Sequence, residues 1–178
     1  MDSHSAYQDF RTRLDTATAK AWERDKSKMA CKAGCSMCCR DDFKIGLVEG
    51  IVVTKALNAL PHKTQQVIKN NLAQGTTGRC PLLINDQCSI YENRPSLCRI
   101  FGFLVAADGN VTTCELNFTE EQEAGYGEFS AHAFDRNAIG QALWEIDKLF
   151  LAETGQTLAT DQPPPRFTIR ELLGEELA

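Results

Sequence analysis

At 178 residues the chain has the length of one domain, enough to bury roughly 70% of its unfolded surface without covalent staples. Hydrophobic residues at 43% and charged residues at 24% are ordinary globular proportions, which excludes wholesale disorder. A net charge of −5 with scattered basic residues excludes a phosphate-neutralising surface and hence a nucleic-acid partner, and apolar runs such as Ile51-Val52-Val53 are far below the roughly 20 residues of a membrane span.

The segment Met1 to Phe10 is polar and acidic, with no positive region followed by an apolar one, so no secretory signal is read there and a cytoplasmic location is expected. Residues 3–29 carry Tyr7, Phe10, Leu14, Ala17 and Ala21 at spacings of three and four, which predicts an amphipathic helix. Lys32-Ala33-Gly34 breaks that pattern, and Cys31 to Cys39 follow as a loop. Asp41-Asp42 offers a cap for a second helix from Leu47 to Leu60, which Pro61 ends. His62 to Gln74 keeps Val67, Ile68 and Leu72 in register for a third helix, closed by Gly75.

The character changes at Cys80. Leu82-Leu83-Ile84, Asn85-Asp86 and Cys88-Ser89-Ile90-Tyr91 predict a hairpin, and Phe101 to Ala107, Asp108-Gly109 and Val111 to Cys114 predict a second, because Asp-Gly tolerates the positive φ of a type I′ turn. Between them Pro95 suits the first position of a short helix entered through Asn93 or Arg94, with Cys98 on its first turn, where backbone amides stabilise thiolate charge. Phe129 to Leu151, with Phe134, Ala138, Leu143, Ile146 and Phe150, predicts a long amphipathic helix. Pro163-Pro164-Pro165 forms a stiff linker, and Thr168 to Glu171 resembles a capping box that opens a short terminal helix, expected to pack loosely or contact a protein partner. The expected fold is α+β and mostly helical, with helices around a small metal-centred antiparallel β layer of short hairpins. Residues 1–160 are read as a single metal-binding domain and 161–178 as a Pro-rich linker with a C-terminal helix.

The chain's chemistry is concentrated in its eight cysteines, Cys31, Cys35, Cys38, Cys39, Cys80, Cys88, Cys98 and Cys114. In a reducing compartment they are not permanent disulfides, which leaves metal or redox chemistry. Zinc takes thiolates at about 2.3 Å, and ligands two or three residues apart on a tight turn meet that geometry. The Cys31 to Cys39 group satisfies it, and the four distant cysteines complete the shells from the hairpins, tying helices to sheet. Adjacent Cys38 and Cys39 point in different directions, so either two sites or one cluster with a spare thiol is expected. Zinc and an iron–sulfur cluster both accept all-cysteine shells and stay open as alternatives. Arg94 and Arg99 are placed to offset the negative charge of such a centre, or else both are ordinary surface charges or pair with Glu92. Two plainer readings, buried free thiols and a disulfide framework, predict no metal in the purified protein.

Cys31-x3-Cys35-x2-Cys38-Cys39, Arg79-Cys80-Pro81-Leu82 and Cys88-Ser-Ile90-Tyr91-Glu92-x-Arg94-Pro95-x-x-Cys98-Arg99 together resemble the YkgJ-type cysteine-cluster family, the zinc- or iron-chelating CxxCxxCC domain. The likeness spans residues 31–114, and the first gap holds three residues where the family's nominal pattern has two. It implies a protein with bound metal or an iron–sulfur cluster, and the same domain occurs in flagellin lysine-N-methylase.

His4, His62 and His132, the last on the expected long helix, are isolated and form no metal pair; no nucleophile elbow, phosphate loop or dinucleotide fingerprint is present. Cys31-x3-Cys35-x2-Cys38 matches the cluster loop of radical S-adenosylmethionine enzymes, but a short, mostly helical chain cannot supply the partial barrel those enzymes use. Three functions therefore stand. The first is a metal-binding protein with a structural, redox or sensing centre. The second is an enzyme or enzyme subunit using the cluster, for example related to protein lysine methylation, with no catalytic residue identified. The third is an interaction module docking through the C-terminal segment.

Overall fold

Asp2 opens helix α1 (Ser3–Asp25) by accepting the Ser5 amide at 2.8 Å, which satisfies one of the donors that a helix start leaves unpaired. The computed structural model describes residues 1–40, 43–75, 78–156, 158 and 162–177. Tyr7, Leu14 and Ala21 are buried on the stripe the periodicity predicts, Phe10 is half-buried, and Ala17 faces solvent. The helix ends at Asp25, short of residue 29, and a 3-10 turn at Lys26–Lys28 leads toward the cysteine loop. Tertiary contacts take over there: the Lys28 carbonyl accepts the Phe118 amide at 2.8 Å, and its ammonium pairs with Glu121.

Strand β1 (Lys44–Ile45) leads into α2 (Leu47–Asn58), and α3 (His62–Ala73) follows Pro61, close to the bounds that proline and Gly75 predict. The expected cap at Asp41-Asp42 falls outside the described residues. The first turn of α2 is capped instead from a distant helix: the carboxylate of Asp147 accepts the Leu47 and Val48 amides at 3.2 and 2.9 Å. Burial pushes that carboxyl up to about 6. Gly46, the residue before α2, makes the approach possible, because a Cβ there would stand 2.1 Å from Asp147 Oδ2. Gly46→Ala is expected to cost about 1–3 kcal/mol through this overlap with a side chain held at both oxygens. Thermal unfolding measures it, and an unchanged Tm would remove the role assigned to this contact.

Strands β2 (Leu83–Ile84) and β3 (Gln87–Cys88) form an antiparallel hairpin about Asn85 and Asp86, whose φ angles of 51° and 59° fit a type I′ turn. Helix α4 (Ser96–Ile100) then leads to β4 (Val105–Ala107) and β5 (Asn110–Thr112), a second antiparallel hairpin about Asp108-Gly109. Both turns are where the sequence puts them, although the strands are shorter than the apolar runs. After α5 (Thr119–Ala124) and a 3-10 turn at Gly127–His132, β6 (Phe134–Asp135) joins β4 in parallel, so one edge departs from an all-antiparallel layer.

Helix α6 (Arg136–Glu153) starts seven residues later than expected, which leaves Phe129 and His132 in the 3-10 turn and Phe134 in a strand. Asp135 explains the shift, since its carboxylate accepts the Asn137 and Ala138 amides at 2.9 Å each. Within α6, Leu143 and Ile146 are buried and Phe150 is half-buried, while Ala138 is exposed. Leu143 and Ile146 pack with Tyr7 and Val48.

Strand β7 (Phe167–Thr168) pairs antiparallel with β1. Helix α7 (Ile169–Leu177) opens on the expected capping box: the Thr168 amide donates to Glu171 at 2.7 Å, and the Glu171 amide donates back to Thr168 Oγ1 at 3.1 Å. The terminal segment does not pack loosely. Ile169 and Leu173 are fully buried beside Ile45, Val53, Leu57 and Ile68, and Pro164 is buried as well. The fold is α+β and mostly helical, with short strands in small sheets. Among the described residues no helix is long and apolar enough to cross a membrane.

Candidate metal centre

The chain from Met29 to Arg40 forms neither helix nor strand. Single turns shape it: the Cys35 amide donates to Lys32, and the Cys39 amide to Ser36, both at 3.0 Å. Two ties hold it to the first hairpin. The Cys80 amide donates to the Cys39 carbonyl at 2.9 Å, and Ser36 donates to Asp86 at 2.9 Å while Arg79 pairs with the same carboxylate. All eight cysteines are free, and none is fully exposed or fully buried.

Cys31 has Cys35, Cys38 and Cys114 as electrostatic neighbours. Asn117, which is fully buried, organises this side. Its Oδ1 accepts the Ala30 amide at 2.8 Å, and its Nδ2 donates to Cys31 Sγ at 3.2 Å and to the Gly102 carbonyl at 2.7 Å. Its own amide bonds the Cys114 carbonyl at 2.9 Å. One amide side chain thus joins three segments, using both of its donors and its acceptor oxygen, as burial demands. Burial pushes the Cys31 thiol up, and the hydrogen bond from Asn117 partly offsets this.

Cys98 has Cys80, Cys88 and Cys38 as neighbours, together with Glu49. Burial raises this thiol well above its ordinary value, with like-charge repulsion from the other sulfurs adding to it. Burial also raises Cys88, against a hydrogen bond from the Ile90 amide and the charge of Arg94. Cys38 faces both groups. Its thiol donates to Cys39, which raises it strongly, and burial adds to that. The adjacent pair therefore sits between two thiol neighbourhoods, one with Cys31, Cys35 and Cys114 and the other with Cys80, Cys88 and Cys98.

The two arginines divide. Arg94 lies 3.8 Å over the Tyr91 ring and its charge reaches Cys38 and Cys88, as expected of a compensating cation. The side chain of Arg99 is buried and turned away, bonded to Asp15 of α1 and to the carbonyls of Glu92 and Arg94. Arg99→Ala is expected to cost about 1–3 kcal/mol, as it removes a buried side chain and its bonds to Asp15 and to the Glu92 and Arg94 carbonyls, without changing metal content. Denaturant unfolding with metal analysis on one sample checks this. Lost metal at unchanged stability would return Arg99 to the charge-compensating role.

Pro95 sits one position earlier than expected: it has extended backbone, and Ser96 is the first residue of α4. Cys98 keeps its place in the first turn, but the Ser96 amide donates to the buried Glu49 carboxylate at 2.6 Å. The helix start is thus committed to Glu49 instead of a thiolate. His4, His62 and His132 are all exposed. Among the described residues, no three His, Cys, Asp or Glu side chains stand together in a metal-binding arrangement, so the neighbourhoods are defined by the electrostatic influence of one thiol on another. Asn117, Glu49 and Asp147 are absent from the sequence reading; each is a single polar residue outside any periodic pattern.

A family model described as a zinc- or iron-chelating domain, CxxCxxCC, matches residues 30–124, more than half of the chain. The chain belongs to this family. The CxxCxxCC match takes in all eight cysteines together with Asn117, and gives the protein a metal-binding domain. No curated protein and no solved structure matched the chain.

Proposed function

We propose that the protein is a cytoplasmic metal-binding protein whose eight cysteines hold zinc or an iron–sulfur cluster in a structural, redox or sensing role. The observation that carries the reading is the gathering of free thiols from four distant segments into two neighbourhoods that meet at Cys38-Cys39. Cys31, Cys35 and Cys114 would hold one centre, and Cys80, Cys88 and Cys98 the other, with Cys38 and Cys39 completing them. The donor chemistry fits: thiolates select zinc and iron–sulfur over magnesium or calcium, which take oxygen ligands. When bound, the metal would supply charge neutralisation for the thiolates and a covalent tie across the 29–40 loop. This chain's own residues position the sulfurs: Asn117 fixes Cys31, the Ile90 amide and Arg94 stabilise the Cys88 anion, and the Cys39 carbonyl registers Cys80. In this reading residues 1–160 contain the centre, and 161–178 close the apolar core behind it.

Iron and zinc counts with a visible spectrum, on protein purified without oxygen, test the proposal. Zinc alone, or iron with charge-transfer absorption, supports it and separates the two metals. Neither metal in reduced protein would overturn it. A second reading, an enzyme or enzyme subunit, is favoured by one observation: a pocket of about 380 Å³ includes Gly102, and a Cβ at Gly102 would stand 3.0 Å from Cys31 Sγ. Retention of one non-protein position on the metal, read from the metal's X-ray absorption, would support that reading; a complete protein shell would oppose it.

A further inference from the structure

We propose that the pocket in front of Gly102 binds a small carboxylic acid with an aromatic or branched apolar body. Four separate parts of the fold converge on it: Phe43 ahead of β1, Leu97 and Phe101 at α4, Val105 on β4, and Arg136 at the first residue of α6. Its volume, about 380 Å³, lies within the range of small-molecule sites.

Its walls are fixed. Phe103 is buried, and its ring meets that of Phe134 edge-on at 5.6 Å. Gly102, held at φ +100°, forms the back of the pocket, and its carbonyl is locked by Asn117 at 2.7 Å and Thr113 at 2.8 Å. Phe101 remains 39% exposed at the rim, an aromatic surface that folding does not cover.

The chemistry of the occupant follows from the lining. Among the described residues of the lining, Arg136 is the one charged side chain. A guanidinium offers paired donors in the plane that a carboxylate matches, beside aromatic walls that suit an apolar body. A single cation suits a monoanion, whereas a phosphate dianion calls for more donors than the lining provides. The pocket is built without cysteine side chains, so the inference goes beyond the metal reading and its test stands whatever metal is found.

The experiment is an amide NMR titration of the full chain with phenylacetate and 4-methylpentanoate, each beside its neutral amide. The expected result is a saturable shift centred on Gly102, Val105, Thr112 and Thr113, with each acid bound about tenfold tighter than its amide, or 1.4 kcal/mol. Arg136→Gln is expected to remove that preference while leaving amide binding within twofold, and Arg136→Lys to restore part of it. Arg136 is exposed, and an unchanged amide spectrum will verify that both variants fold. The proposal is overturned if neither acid shifts these residues at millimolar concentration, if acid and amide bind alike, or if Arg136→Gln binds the acids as well as the parent does.

Discussion

A chain ending at residue 160 is expected to lose its cooperative unfolding transition altogether. The deletion removes Ile169 and Leu173, both fully buried, and takes away the only strand partner that β1 has among the described residues. Truncating one such core side chain costs about 2–5 kcal/mol, and a domain's whole stability is about 5–15 kcal/mol. Losing two of them together with the pairing at Lys44 and Ile45 consumes most of that margin. The graded version is Leu173→Ala, expected to lower Tm by about 10 °C, as each kcal/mol is worth about 2–4 °C at this chain length. Calorimetry on both proteins decides the matter. A truncated chain that melts as sharply as the parent would restore a detachable segment, free for a protein partner.

Removal of the metal, on the proposed reading, is expected to act locally and strongly on residues 29–40. Residues 29–40 have no ladder of their own and are held by single turns, the Asn117 bonds to Ala30 and Cys31, the Cys80–Cys39 backbone bond and the Ser36, Asp86 and Arg79 contacts. Thiolate coordination of zinc is worth about 10–16 kcal/mol in small metal-dependent modules, far more than those bonds at about 1 kcal/mol each. A chelator under reducing conditions should therefore open tryptic cleavage at Lys32 and Arg40, while the α1–α6 packing around Tyr7 and Leu143 persists. Timed proteolysis with helical circular dichroism on the same sample reads both. Equal cleavage rates with and without metal would show that the loop is ordered by the protein alone.

Local signals were the legible part of the fold. Pro61 and Gly75 bound helices within a residue or two, two positive-φ dipeptides mark the hairpins, and Thr168 with Glu171 announces the last helix, because each effect spans only a few residues. Contacts across the chain were not legible. Phe134 keeps helical phase with Ala138, four residues on, yet lies in a strand, since Asp135 caps α6 and β4 offers Phe134 a partner. In the candidate site the cysteines announce themselves by spacing, whereas Asn117 lies three residues past Cys114 with nothing but its polarity between Leu116 and Phe118 to mark it. Arg94 and Arg99 both neighbour Cys98 in sequence. Only the direction of each side chain separates a cation beside thiols from a buried strut to α1.

The Asp147 cap has a consequence for the order of assembly. Its two amide acceptors lie 100 and 99 positions after the residues they serve, and Lys44 finds its strand partner at Thr168, so neither end of the β1–α2 segment is completed by its neighbours. On the ribosome α2 emerges long before either partner. Ile68, Leu82 and Ile90 can cover Val53 and Leu57 only in part, and this core closes with Ile169 and Leu173 after most of the chain has been made. Completion of the β1–α2 segment late in synthesis follows from where one carboxylate and one short strand sit.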